Sequence, residues 1–240
     1  HSSAPQPAAD NAQPELVPQP LAMQGPAAVA WKLAQDAKCT EEQIGAVALV
    51  ALSMQKRFES RPDKTTQLLP VATAGENHRA VWLGGGGVGK THTLFKVIEP
   101  MAVTYFGDGG YLGKAQSNHA AHNLGPRGRR IHSANGLLMS DSFQTARLRL
   151  SSQAQKKLNR LAGTAGVEVI DEVGAVPGSL LHADALRTTY GRALRHDLDP
   201  IKYMQPLETW GRMPVKILCG DFYQLPPVPA SSSLLAPQRL

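Results

Sequence analysis

The sequence predicts an α/β domain, a mostly parallel sheet covered by helices on both faces. Three observations predict it. Short apolar runs at Ala80–Leu83, Tyr111–Ala115, Val167–Asp171 and Pro214–Cys219 have strand length. Segments with helical spacing of apolar residues lie between those runs, and alternation of the two element types implies parallel strands joined by crossover helices. Strand ends run into glycine-rich or acidic turns, at the carboxyl edge where open α/β sheets bind ligands.

Residues 1–37 are rich in Pro, Ala and Gln and poor in large apolar groups, too poor to offset the entropy of ordering. They are expected to form a disordered tail, with one folded domain over 38–240. Thr40, followed three residues later by Gln43, makes a capping box, and the apolar run from Ile44 to Leu52 continues the helix that it starts. A polar, Pro-containing linker runs from Arg61 to His78. The strand at Ala80–Leu83 leads through a glycine cluster into a helix from about Lys90, which Pro100 must kink or split because proline lacks the N–H that the helix needs.

Tyr111–Ala115 is the second strand, followed by a short helix around Asn118–Leu124. Ser151–Leu161 puts Ala154, Leu158 and Leu161 on one helical face and its basic residues elsewhere. Val167–Asp171 is the third strand. Leu180–Leu194 is a helix stopped before Asp199-Pro200, and Pro214–Cys219 is the fourth strand.

A chain of 240 residues with 42% hydrophobic and 18% charged residues can bury one sizeable core. Cys39 and Cys219 lie far apart and show neither metal-ligand spacing nor a disulfide framework. The longest apolar run, Ile44–Met54, is too short to span a bilayer, so no membrane partner is expected. No secretory leader is visible, and a first residue of His1 suggests a fragment or processed form. The net charge of +6 is unevenly spread. Gly109–Val167 holds nine Lys or Arg residues against the single acid Asp141, net +8, leaving −2 for the rest. Such a stretch suits a polyanion, whose counterions binding releases, or forms a solvated basic face.

Gly84-Gly85-Gly86-Gly87-Val88-Gly89-Lys90-Thr91 satisfies G-x-x-x-x-G-K-[ST]. Glycines such as Gly84, Gly87 and Gly89, with Val88 among them, let backbone N–H groups wrap a phosphate. Lys90 would reach the β- and γ-phosphates of ATP, and the Thr91 hydroxyl would ligate Mg²⁺. Asp171, ending a neighbouring strand, would hold the same ion, and Glu172 would orient or deprotonate the attacking water. Gly220–Pro227 follows the fourth strand and places Gln224 at the same sheet edge, where it could sense the γ-phosphate.

These residues, in this order, resemble superfamily-1 DNA helicases of the PIF type (petite integration frequency), which move 5′→3′ on single strands. Gly220–Pro227 is similar to the family's third motif and Asp171-Glu172 to its Asp-Glu motif. Thr40–Gln43 looks like its adenine-reading motif, in which Gln43 contacts the base; completing the capping box is the other reading. Ala115–Ala121 and Ile131–Leu137 resemble motifs lining the single-strand path, which nominates Ser117, Asn118, His132 and Ser133 as DNA contacts. A packed core histidine is the alternative for His132. Arg127, Arg129 and Arg130 read as backbone-phosphate contacts or as a solvated basic loop.

The resemblance runs from about Cys39 to Val228 and implies a RecA-like domain, with ATP and Mg²⁺ as cofactors and single-stranded DNA as partner. It also implies a place in nucleus or mitochondrion and work in repair, recombination or telomere upkeep; a monomer is the expected state, which the residues themselves do not fix. The all-glycine phosphate loop departs from the family's usual Ala, Thr or Pro. Later motifs, on a second RecA-like domain with an arginine finger, lie outside this chain, so poor hydrolysis and no unwinding are expected of it. Two other readings are a P-loop ATPase of a mobile-element replication motor and a non-catalytic DNA-binding remnant.

Overall fold

The structure, a computed structural model, describes residues 24–60, 68, 71–72, 77–137, 150–196 and 210–223. Five parallel strands form one sheet: β1 (His78–Leu83), β2 (Tyr111–Ala115), β3 (Gly128–Arg130), β4 (Val167–Asp171) and β5 (Val215–Gly220). Their order across the sheet is β1-β5-β4-β2-β3. β5 therefore sits between the strand that enters the glycine loop and the strand that ends in Asp171. The register sets Leu83 beside Gly220 and Ala115 beside Asp171, which brings the strand ends to one edge.

Helices α1 (Pro26–Asp36), α2 (Glu41–Glu59) and α4 (Glu99–Phe106), with the Leu94–Ile98 stretch that follows α3 (Lys90–Thr93), contribute to one apolar core. Buried Leu94, Ile98 and Met101 meet Val167, Val169, Val215 and Ile217 of the sheet there. Burying a side chain of that size contributes about 1.5–3 kcal/mol. The other core clusters draw on α6 (Ile131–Asn135), α7 (Ser152–Leu161) and α8 (Gly178–His196). α5 (Asn118–Asn123) packs near the β2–β3 edge.

The expected strands appear with small shifts of bounds, and β1 begins at His78 rather than Ala80. The helix from Lys90 is split, as expected, but by a wider turn rather than a break. A π-helical stretch, Leu94–Ile98, joins α3 to α4, and Pro100 sits in the first turn of α4. There a missing N–H costs least, and a π-turn absorbs the change of register. β3 and α6 were not expected; both are too short to show a period.

The tail expectation needs correction over part of its length. Residues 1–23 lie outside the described residues, but Pro26–Asp36 form α1, which packs on α2. Proline starts the helix at its first turn, alanines favour it, and Val29, Ala30 and Ala34 form a buried stripe. The Tyr105 hydroxyl donates to the Gln24 carbonyl at 2.8 Å, and Ala27 N–H donates to the Gln55 side chain. Small apolar residues suffice here because helices can approach closely over alanine. In the linker, buried Leu68 and Ala72 attach to the body through N–H bonds to the carbonyls of Tyr105 and Arg212.

Candidate functional site, a phosphate pocket at the sheet edge

The loop between β1 and α3 folds as its glycines require. Gly87 and Gly89 have φ of +77° and +81°, the left-handed region that disfavours side chains. A Cβ at Gly89 would also lie 2.4 Å from Nε2 of Gln43. Lys90 Nζ donates to the Gly84 and Gly85 carbonyls, at 2.5 and 2.8 Å, folding its ammonium back across the loop. Gly84 N–H reaches the Gly220 carbonyl at 3.3 Å, which ties the loop's start to the end of β5.

Thr91 and Asp171, 80 residues apart in sequence, meet at the loop's mouth. The Thr91 hydroxyl donates to Asp171 Oδ2 at 2.8 Å, and Glu172 N–H donates to Asp171 Oδ1 at 2.9 Å. Asp171 is buried because it ends a strand enclosed on both sides. Glu172 stands in the left-handed region, φ 53° and ψ 40°, a conformation that a non-glycine residue adopts at a cost. Burial pushes the Glu172 carboxyl up from its ordinary range and the Asp171 charge adds to this, with His119 opposing. A raised carboxyl is the stronger base once ionised.

Gly86–His92, Asp171, Glu172, Gly220 and Asp221 line a cavity of about 260 Å³ together with Ala120 and Asn123 of α5. The sequence-nominated Val88, Gly87, Gly89, Lys90, Thr91, Asp171 and Glu172 thus converge. Gly84 lies behind them, gripped by Lys90. Gln224 lies outside the described residues. Gln43 serves the cap and the loop at once: its Oε1 accepts from Thr40 N–H at 2.9 Å, and its Nε2 donates to the Val88 carbonyl at 2.8 Å. It also lines a neighbouring groove of about 450 Å³ with Lys90, Trp82 and Leu49.

The strand-path candidates occupy a separate stretch, α5–β3–α6. Ser117 caps α5, accepting from Ala120 N–H, and Asn118 is exposed beside it. Ser133 is exposed and accepts from Lys157 Nζ at 3.1 Å; His132 is half-buried on the same helix. Arg129 is exposed and donates to the carbonyls of Pro126 and Gly128, while half-buried Arg130 stands at the N-terminal boundary of α6 without a side-chain cap. Arg127 departs from the phosphate-contact reading. Its guanidinium pairs with Glu99 at 2.8 Å and with Asp108, so it closes the α4–β2 and α5–β3 turns on each other.

Lys114 is a second departure. It counts toward the basic stretch, yet it is buried among Asp184, Glu168 and Asn135, out of a polyanion's reach. The basic residues Arg129, Lys156 and Arg160 remain exposed.

Three neighbours of the site were not nominated. Cys219 lies one residue past the Ile170–Leu218 pair, level with Asp171, and burial followed by the Asp171 charge pushes its thiol up, so it stays protonated. His119 faces Glu172 electrostatically, and Asn123 lines the cavity. Cys219 stands directly before Gly220-Asp221 and His119 falls within Ala115–Ala121, whereas Asn123 carried no sequence signal.

No family model matches the chain, and no curated protein does. Solved structures do resemble it. Bacteroides Pif1 bound to ssDNA is 25% identical over 62% of this chain and 30% of that one, TM-score 0.44. Pif1 helicase from Candida albicans is 26% identical over 66% and 33%, TM-score 0.45. Unliganded Pif1 from Bacteroides sp is 23% identical over 78% and 32%, TM-score 0.49. This chain spans about a third of the length of those chains. At TM-scores below 0.5 the likeness adds nothing to what the site's own geometry says of function. The sheet order, with β5 between the P-loop strand and the Asp-Glu strand, fits a RecA-like domain.

Proposed function

We propose that this chain is the nucleotide-binding domain of an ATP-dependent DNA helicase that moves 5′→3′ along a single strand. The observation that carries the reading is the 2.8 Å contact of Thr91 with Asp171 at the mouth of the glycine loop. A hydroxyl and a carboxylate that close are the hard oxygen donors that suit magnesium, whose remaining positions go to phosphates and water. Among the described residues no cluster of three His, Cys, Asp or Glu competes as a metal site.

Loop N–H groups would hold the β-phosphate, and Lys90 would exchange its two carbonyl partners for phosphate oxygens. Magnesium, when bound, neutralises charge between the β- and γ-phosphates. Glu172, lifted toward basicity by burial and lining the same cavity, would take a proton from the attacking water. Gln43, already bonded to Val88, would stand where a base entering beside the loop meets α2. The exposed basic residues of β3 and α7, with Ser117, Asn118 and Ser133, would hold a strand through its phosphates. No helix among the described residues is long and apolar enough to cross a membrane.

The test is titration of a fluorescent ATP analogue against wild type and Lys90→Ala, in magnesium. Loss of a charge-assisted phosphate contact should weaken binding at least about tenfold. Equal affinity in the two proteins refutes the reading. For the strand, affinity for oligothymidine should fall with salt, with slope about −0.7 per phosphate neutralised; a flat profile removes DNA from the proposal.

A further inference from the structure

Helix α5 reaches the phosphate pocket from the side opposite the glycine loop. Ala120 and Asn123 are three residues apart, so they share a face, and both line the 260 Å³ cavity. Ala120 is buried and offers only a methyl group. Asn123 is exposed, and its carboxamide makes no hydrogen bond to the described residues. Elsewhere in the cavity the glycine loop supplies N–H groups and an ammonium, and the strand ends supply the carboxylates of Asp171, Glu172 and Asp221. Asn123 is the neutral polar side chain facing them from α5.

Its place is well held. The Ser117 cap fixes the start of α5, and the chain beyond is pinned where Arg127 pairs with Glu99 and Asp108. Gly128 packs so closely under α5 that a Cβ there would come within 1.9 Å of the Ala121 carbonyl. α5 therefore cannot slide along β3 without breaking these contacts.

We propose that Asn123 is a further nucleotide-contacting residue, its carboxamide N–H donating to the terminal phosphate of a bound nucleoside triphosphate. The water that Glu172 would activate must sit beyond that phosphate, and Asn123 lines the same cavity as Glu172. A diphosphate ends short of it. The contact therefore favours triphosphate over diphosphate. This deepens the proposed function and rests on the same phosphate pocket.

The experiment compares wild type with Asn123→Ala, Asn123→Asp, His122→Ala and Lys90→Ala by titration with fluorescent ATP and ADP analogues in magnesium. Loss of one hydrogen bond to a charged group should weaken ATP about three- to tenfold in Asn123→Ala and change ADP less than about twofold. Asn123→Asp sets a carboxylate against the phosphate and should weaken ATP further, while His122→Ala, beside it but off the cavity, should match wild type. Asn123 is exposed, so the variants should fold, which circular dichroism checks. ATP affinity within about twofold of wild type in both Asn123 variants, with Lys90→Ala still defective, overturns the Asn123 contact and leaves the P-loop reading standing. Undiminished binding by Lys90→Ala overturns both.

Discussion

The two faces of the sheet are built on opposite terms. On the face toward α1–α4, Val167, Val169, Val215, Ile217 and Tyr111 meet Leu94, Ile98, Met101 and Phe106 in one continuous apolar core. On the face toward α6–α8, the alternate positions Lys114, Glu168 and Lys216 point inward instead. There Lys114 Nζ bonds Asp184 Oδ1 at 2.7 Å and Asn135 at 3.0 Å, and Lys216 pairs with Glu168 and with Asp184. Thr188 and the Trp210 indole N–H complete the set. Two cations and two anions balance, splitting that face into two smaller apolar clusters. The apolar face supports the helix behind the glycine loop by non-directional burial. The charged face is directional, so it can fix one register among β2, β4, β5, α6 and α8.

The sharpest way to break this contrast is Asp184→Asn, which leaves two buried ammonium groups facing one carboxylate. Removing one partner of a buried ionic set costs about 3–5 kcal/mol, measurable as a lower midpoint in urea unfolding. The double variant Glu168→Gln/Lys216→Met removes a balanced pair and should cost clearly less; an equal loss would show that packing, not charge balance, holds this face.

On the apolar face the matching change is Met101→Ala, in a fully buried position. Truncation there should cost about 2–5 kcal/mol through lost burial and a residual cavity. A loss below about 1 kcal/mol would mean the helix collapses into the gap, and the two faces would differ less than the packing implies.

Acid separates the faces further. Burial works to raise the Asp184 carboxyl, but Lys114 and Lys216 outweigh it and hold it well below the usual carboxylate range. A depressed folded pKa gives stability that is present above the unfolded value of about 3.9 and lost as pH falls from there toward the folded pKa. Lys114 acts in the opposite sense. Burial lowers its pKa, Asp184 and Glu168 more than reverse this, and its contribution is lost as pH rises through the raised folded value. Acid titration of unfolding free energy should therefore steepen below about pH 4 in wild type and flatten there in Asp184→Asn. Identical slopes would remove Asp184 from the account.

The smallest expected effect lies away from both faces. Thr40→Ala removes the cap of α2, whose hydroxyl accepts from Gln43 N–H, at about 1 kcal/mol. Because Gln43 also bonds Val88, nucleotide affinity should fall as well; an unchanged affinity would separate the cap from the loop.

Much of this was legible in order along the chain. Tyr111–Ala115 and Val167–Asp171 appear as strands over the bounds their apolar runs predict. Thr40 and Gln43 form the reciprocal cap that their spacing implies. Each rests on neighbours within a few residues, where backbone geometry leaves little choice. Lys114 shows the limit. Within a basic stretch it reads as solvated, and its three acceptors stand 21, 70 and 74 residues away. α1 was missed because Pro and Ala read as disorder until α2 covers the stripe that they form.

From its own residues the sequence determined the glycine loop, with glycines where φ must be positive, and the alternation that makes a parallel α/β sheet. It also determined which carboxylates end the strands. Tertiary structure alone decided that Thr91 and Asp171 share one point, that Arg127 is spent on Glu99 and Asp108, and that Lys114 is buried. The reason is that local backbone preference acts over a few residues, whereas the partner of a charge is set by whichever strand order closes the sheet.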